Sequence, residues 1–170
     1  MAIHAPVPEE RAWENPPEGV HQGVIYAVEL RKDIETKFGK KDKLMIKIQL
    51  SPESAGTTTY TNKDGKEVTN PFMVTYFKTL SMWRDGAKAS DLRKFVEAIA
   101  QRKFADNKEA AAFDLESLVG LNGMFNVVHN PSADGEKIFA NVETTMPLPK
   151  GIKPIKPVNI EAGSGSDLPF

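Results

Sequence analysis

Residues 72–104, FMVTYFKTLSMWRDGAKASDLRKFVEAIAQRKF, constrain the chain more than any other stretch. β-Branched and aromatic residues crowd 72–80, which predicts a strand. Side chains of a strand alternate between faces, so Phe72, Val74, Tyr76 and Lys78 share one face while Met73, Thr75, Phe77 and Thr79 share the other. Each face carries a ring, one for a core and one for presentation. Gly86 interrupts the pattern. Ser90 then reads as the N-cap of a helix over 90–103. Asp91 stands where the helix dipole favours an acid, and Leu92, Phe95, Val96 and Ile99 recur at helical spacing. A strand followed by one amphipathic helix, flanked by other strands, points to the middle of a small β-barrel.

The flanking segments supply those strands. Residues 19–32 predict a long first strand with Val20, Val24, Tyr26, Val28 and Leu30 in one stripe and Ile25, Ala27, Glu29 and Arg31 opposite. Residues 33–42 read as a turn centred on Gly39. Residues 43–50 form the cleanest alternation: Leu44, Ile46, Ile48 and Leu50 point one way, and Lys43, Met45, Lys47 and Gln49 the other. In 51–71, Asp64-Gly65 marks a hairpin turn between 57–61 and 66–68, a short ribbon. After a short helical stretch in 104–121, strands are predicted over 122–129 and 136–145 around a turn at 131–135. Three strands, a helix and two strands is the order of a five-stranded Greek-key barrel of the OB type, a mainly β fold. The expected organisation is an extended leader over 1–18, an OB-type domain over 19–148, and a flexible tail over 149–170; four prolines over 147–157 precede a Gly/Ser run.

Chemistry narrows next. The three histidines, His4, His21 and His129, lack metal-ligand spacing, and no phosphate-binding loop or nucleophile motif is present. Asp33 with Glu35 and Asp64 with Glu67 read as solvated turn acids. The expectation is therefore no enzyme, no cofactor and no metal. No apolar run reaches the length of a membrane span, and residues 1–17 lack a secretory signal pattern, so an internal, cytoplasmic compartment is expected. The formal net charge of −1 conceals an uneven distribution. Residues 31–103 hold 16 Lys/Arg against 9 Asp/Glu, leaving acidic flanks of net −8. A basic centre between acidic ends suits a domain that binds a polyanion.

Binding a single nucleic-acid strand without reading its sequence needs cations along the phosphates and flat rings for the bases. The candidates are Phe38, Lys40 and Lys41 in the first turn, Lys43 and Lys47 on the second strand, and Tyr76, Phe77 and Lys78 on the third. Tyr60 in the ribbon and Trp83-Arg84 just past the third strand complete the set. Of the two adjacent rings, Tyr76 is taken as the presented one, because it shares a face with Lys78, and Phe77 as core. Trp13 in the leader is expected to dock on the domain surface. A protein-interaction module on the same barrel, without nucleic-acid binding, is the alternative.

Three patterns together resemble phage-encoded single-stranded DNA-binding proteins: GVIYAVELRKDIETKFGKKDKLMIKIQL, then YFKTLSMWRDGAKASDLRKFVEAI with FDLESLVGLNGMFNVVHN, and the ending Asp167-Leu168-Pro169-Phe170. The last is similar to the acidic, Pro-Phe-ended tip of bacterial single-stranded DNA-binding proteins. The resemblance implies coating of single-stranded DNA in phage replication, recombination or repair within the host cytoplasm. It also implies recruitment of replication or recombination proteins through Asp167, Leu168, Pro169 and Phe170. Asp167 alone supplies side-chain acid there, where the bacterial family has a run.

Overall fold

The computed structural model describes residues 15–61 and 63–158. Trp13 and the tip residues Asp167, Leu168, Pro169 and Phe170 lie outside the described residues. The fold is mainly β. In chain order it runs β1 (Gly19–Thr36), β2 (Gly39–Leu50), a short helix α1 (Pro52–Ala55), β3 (Thr57–Thr61), β4 (Glu67–Pro71), β5 (Met73–Thr79), β6 (Arg84–Asp85), β7 (Lys88–Ala89), α2 (Asp91–Ala100), α3 (Asn107–Ala112), a 3-10 turn (Leu115–Leu118), β8 (Asn122–Pro131) and β9 (Ile138–Pro147). Five strands make one antiparallel sheet in the order β5-β2-β1-β8-β9, and two small hairpins, β3-β4 and β6-β7, stand apart from it. The edges β5 and β9 approach within 8 Å, Cα to Cα. Among the described residues no ladder joins them, so the sheet is open where a closed barrel was expected. No helix among the described residues is long and apolar enough to cross a membrane.

The alternation of β2 places the core as expected. Leu44, Ile46, Ile48 and Leu50 are buried on the inner face with Ile25, Val74, Phe125 and Val127. α2 closes that face with Leu92, Phe95, Val96 and Ile99. Its N-cap is Ser90, whose Oγ accepts the Arg93 N–H at 3.2 Å. Arg93 itself is only 1% exposed. Its guanidinium donates to Asn107 Oδ1 at 2.7 Å and to the Phe104 carbonyl at 3.2 Å, and lies 3.8 Å from Glu97, which ties the loop after α2 and the start of α3 back to the helix.

β1 departs from its predicted stripe. Ile25 pairs with Ile48 and Ala27 with Lys47, leaving Tyr26 as an extra, unpaired residue. Such a bulge shifts the two-residue phase, so Val24 lies on the outer face whereas Val28 and Leu30 join Ile25 on the inner one. The bulge sits where β1 exchanges partners. Up to Val24 it pairs with β8, but Ile25 N–H donates to the Leu121 carbonyl at 2.9 Å and its carbonyl accepts from Gly120 at 2.8 Å.

The turn expected over 33–42 is mostly ladder. Ile34, Glu35 and Thr36 pair with Lys41, Lys40 and Gly39, so β1 and β2 continue as a projecting arm closed by Lys37 and Phe38. Asp33 adopts a left-handed conformation (φ 57°) that short polar side chains tolerate, and its N–H is taken by the Asp42 carboxylate at 3.1 Å.

Both termini of the described chain are held. His21 and His129 hydrogen-bond the carbonyls of Pro17 and Pro16, each at 2.7 Å, so residues 16–18 of the leader dock against β1 and β8. Residues 152–158, expected to be part of a flexible linker, lie across the outer face of the sheet. Prolines remove donors and disfavour helix, but they leave the remaining backbone groups available to side-chain amides.

Two glycines face each other across β1 and β8, Gly23 and Gly123. A Cβ on Gly123 would stand 2.3 Å from Ile99 Cδ1 and 3.0 Å from the Met146 carbonyl oxygen, so α2 packs against the sheet only where that side chain is absent. Gly123→Ala is expected to destabilise the fold by about 1–3 kcal/mol, the usual cost of overpacking, in urea unfolding monitored by circular dichroism. Unchanged stability would mean that α2 packs elsewhere.

Candidate nucleic-acid interface

The pairing register fixes which side chains share the outer face of β1, β2 and β5. Thr79, Lys43 and Arg31 form one row across the three strands; Phe77, Met45 and Glu29 form the next; Thr75, Lys47 and Ala27 the third. Lys43 and Lys47 therefore face outward, as their alternation predicted. Met45 lies between them but is buried, with Arg31 Nη2 3.9 Å from its sulfur.

The two rings of β5 are exchanged relative to expectation. Tyr76 faces inward, its ring centroid 5.3 Å from that of Phe95 on α2, in a tilted stack. Phe77 faces outward and is 46% exposed. Lys78 goes inward with Tyr76: its ammonium lies 4.3 Å from the Tyr76 ring centroid and 3.8 Å from the Asp91 carboxylate at the start of α2. The long aliphatic stem lets a lysine occupy a core-facing position while its charge reaches the margin. The presented ring is thus Phe77, and Lys78 does not belong to the outer face.

The arm continues this surface. Phe38 stands at its tip, 87% exposed, flanked by exposed Lys37, Lys40 and Lys41. Thr36, Lys37, Phe38, Lys41, Lys43 and Thr79 line one shallow, open concavity, so the arm and the edge of β5 are continuous. The tip is shaped by local chemistry: Thr36 Oγ1 accepts the Phe38 N–H at 3.2 Å and donates to the Gly39 carbonyl at 2.7 Å, and Gly39 takes φ 96°, which costs a residue without Cβ little.

Two residues of this face escaped the reading of site residues. Arg31 adds a cation beside Lys43. Glu29 subtracts one, since its carboxylate oxygens lie 3.1 Å from Arg31 Nη2 and 3.5 Å from Lys47 Nζ. The stripe Ala27, Glu29, Arg31 was visible in the sequence, but its alignment with Lys47 and Lys43 depends on the bulge at Tyr26.

The remaining candidates are not brought together with this face. Tyr60 sits on β3 opposite buried Val68, half-buried in the separate ribbon. Trp83 is half exposed, and Arg84 belongs to the β6-β7 hairpin. There its Nε donates to the Gly86 carbonyl at 2.9 Å and its N–H donates to Asn107 Oδ1 at 2.8 Å. Among the described residues, no group of three or more His, Asp or Glu side chains is placed to hold a metal ion.

The exchange of rings has a measurable signature. Tyr76→Ala removes a ring packed on Phe95 and should destabilise the fold at the lower end of roughly 3–5 kcal/mol. Phe77→Ala should stay within about 0.5 kcal/mol of the parent, as for a surface position. Denaturant unfolding of the two variants side by side checks the assignment, and the reverse order of effects would return Phe77 to the core.

No protein-family model and no curated protein matches the chain.

Proposed function

We propose that the chain binds single-stranded DNA with little sequence preference, as a phage-encoded single-stranded DNA-binding protein acting in the host cytoplasm during replication or recombination. The observation that carries this reading is the open face on which two exposed rings, Phe38 and Phe77, are joined by Lys37, Lys40, Lys41, Lys43 and Lys47. Rings accept unstacked bases of any identity, and the lysines follow the phosphates, a combination suited to a flexible strand rather than to a duplex groove. The strand order β5-β2-β1-β8-β9, with α2 between the third and fourth of these strands in the chain, and the approach of the β5 and β9 edges support an architecture of the OB type. In that fold the second and third strands and the first hairpin form the usual oligonucleotide groove, which corresponds here to β2, β5 and the arm. The chain acts by binding rather than catalysis, and needs no cofactor.

Fluorescence anisotropy with labelled oligo(dT) and with duplex DNA at two salt concentrations tests the reading. Oligo(dT) should bind far more tightly than duplex, with affinity falling steeply as salt rises. Phe38→Ala and Phe77→Ala should each cost roughly 1–3 kcal/mol of binding. Lys43→Ala with Lys47→Ala should shallow the salt slope by about one unit per lysine. Glu29→Gln should tighten binding, because it removes the carboxylate that faces Arg31 and Lys47. Equal or tighter binding to duplex would overturn the proposal. Absence of salt-dependent binding would leave the protein-interaction module.

The ending Asp167-Leu168-Pro169-Phe170 is read as the recruiting tip. It offers an apolar ring and a free carboxylate on one residue, which suits a shallow apolar pocket rimmed by arginine or lysine. Deletion of residues 167–170 should abolish co-purification with replication or recombination proteins and leave the oligo(dT) affinity unchanged or slightly tighter. Retention of every partner by the truncated chain would remove the recruiting role.

A further inference from the structure

Three side-chain amides on the outer face hold residues 152–158 by the backbone. Asn122 on β8 makes a two-way contact with Ile155, its Oδ1 accepting the Ile155 N–H at 2.8 Å and its Nδ2 donating to the Ile155 carbonyl at 2.9 Å. Gln49 on β2 does the same with Val158, at 2.9 and 2.6 Å. Gln22 on β1 donates to the Lys153 carbonyl at 2.7 Å and to Asn122 Oδ1 at 3.3 Å, which orients the second amide. Gln49 pairs with Val24 and Val24 with Asn122, so the segment passes over Val24, which is fully buried although it lies opposite the core. Gln49 is 2% and Asn122 9% exposed. These exposures are those with the segment in place, and the segment's backbone pairs both the donor and the acceptor of each amide it covers.

The two contacts fall three residues apart, the repeat of a polyproline-type extended chain. Pro154 and Pro157 each precede a contacted residue. They carry no N–H of their own and stiffen the backbone that presents the Ile155 and Val158 groups. The recognition is thus of an extended segment with prolines immediately before two paired backbone units.

We propose that Gln22, Asn122 and Gln49 form a peptide-binding site for such a segment. Residues 152–158 of the same chain fill it, and the same residues of a second copy fill it in exchange. Every copy carries both halves, and exchange replaces each hydrogen bond by its equal, which makes swapping a low-cost route to association. The connection after β9 contains a turn in which the Ile152 N–H donates to the Pro149 carbonyl at 3.3 Å and Gly151 takes φ 90°, a short hinge where the path of the segment can change. A short tether gives the cis segment an effective concentration of the order of millimolar. Exchange therefore competes with closure in cis only when copies are held side by side, a circumstance that rests on the proposed binding to one DNA strand; the site itself does not.

Complementation between two full-length variants tests the site without DNA. Ile155→Pro with Val158→Pro removes the N–H groups that donate to Asn122 and Gln49, leaving the site intact with a disabled segment. Gln49→Ala with Asn122→Ala leaves the segment intact with a disabled site. Neither variant closes in cis, so at concentrations approaching millimolar each alone should be monomeric by light scattering, whereas their mixture should form a one-to-one complex. A labelled synthetic peptide of residues 150–160 should likewise bind the first variant, followed by amide chemical shifts, and should not bind the parent protein at the same concentration. Should the second variant fail to fold, the peptide titration decides by itself. Absence of both the mixed complex and peptide binding to the first variant would overturn the proposal, as would a complex formed equally well by either variant alone.

Discussion

Everything on this sheet is referred to β2. It lies inside the sheet between β5 and β1, and its inner residues Leu44, Ile46, Ile48 and Leu50 are all nearly or fully buried. Burying one such side chain contributes roughly 1.5–3 kcal/mol. A slip of one residue would turn all four outward and drive Lys43 and Lys47 inward. The loss, on the order of 6–12 kcal/mol before counting the lysines, is comparable to the whole stability of a small domain. The register is therefore dictated by the core, and the outer residues Lys43, Met45, Lys47 and Gln49 inherit their positions from it. One strand thus supplies two cations, a buried thioether and a peptide-holding amide without any further folding requirement.

What could be read from the sequence follows from how local each cause is. The alternation of β2 and the helix α2 with its Ser90 cap depend on residues within a few positions of one another, and both are legible. The bulge at Tyr26 is not, because it answers to a partner change in which Ile25 bonds residues 120 and 121, almost a hundred positions away. The faces of β5 were legible as sets, but not which set is inner. Each held one ring, and the deciding contact is Tyr76 with Phe95 on the following helix. Lys78 misled for the same reason, since its charge suggested solvent while its stem lies with Tyr76 and its ammonium meets Asp91. The arm over 33–42 read as a turn centred on Gly39, yet a two-stranded ladder asks only for backbone groups and continues up to that glycine.

The candidate face is basic without being uniformly so. Glu29 lies between Arg31 and Lys47 in the ladder and within 4.0 Å of both, so part of the positive field is internally compensated. Exposed pairs of this kind contribute little stability, about 0–1 kcal/mol. Their larger effect is on what the face attracts, since a phosphate near Lys47 must compete with a carboxylate already in place. The arm is different in character. Lys37, Lys40 and Lys41 are exposed around Phe38 where the β1-β2 ladder ends.

The outer face is divided, and the division crosses β2 between Gln49 and Lys47. On one side of it Gln49, Val24 and Asn122 are covered by residues 152–158; on the other Lys47 and Lys43 are partly buried and Phe77 is 46% exposed. Gln49 and Lys47 are two residues apart on one strand, so the boundary is only about 7 Å wide. A segment composed like a spacer thereby sets how much of the outer face stays exposed.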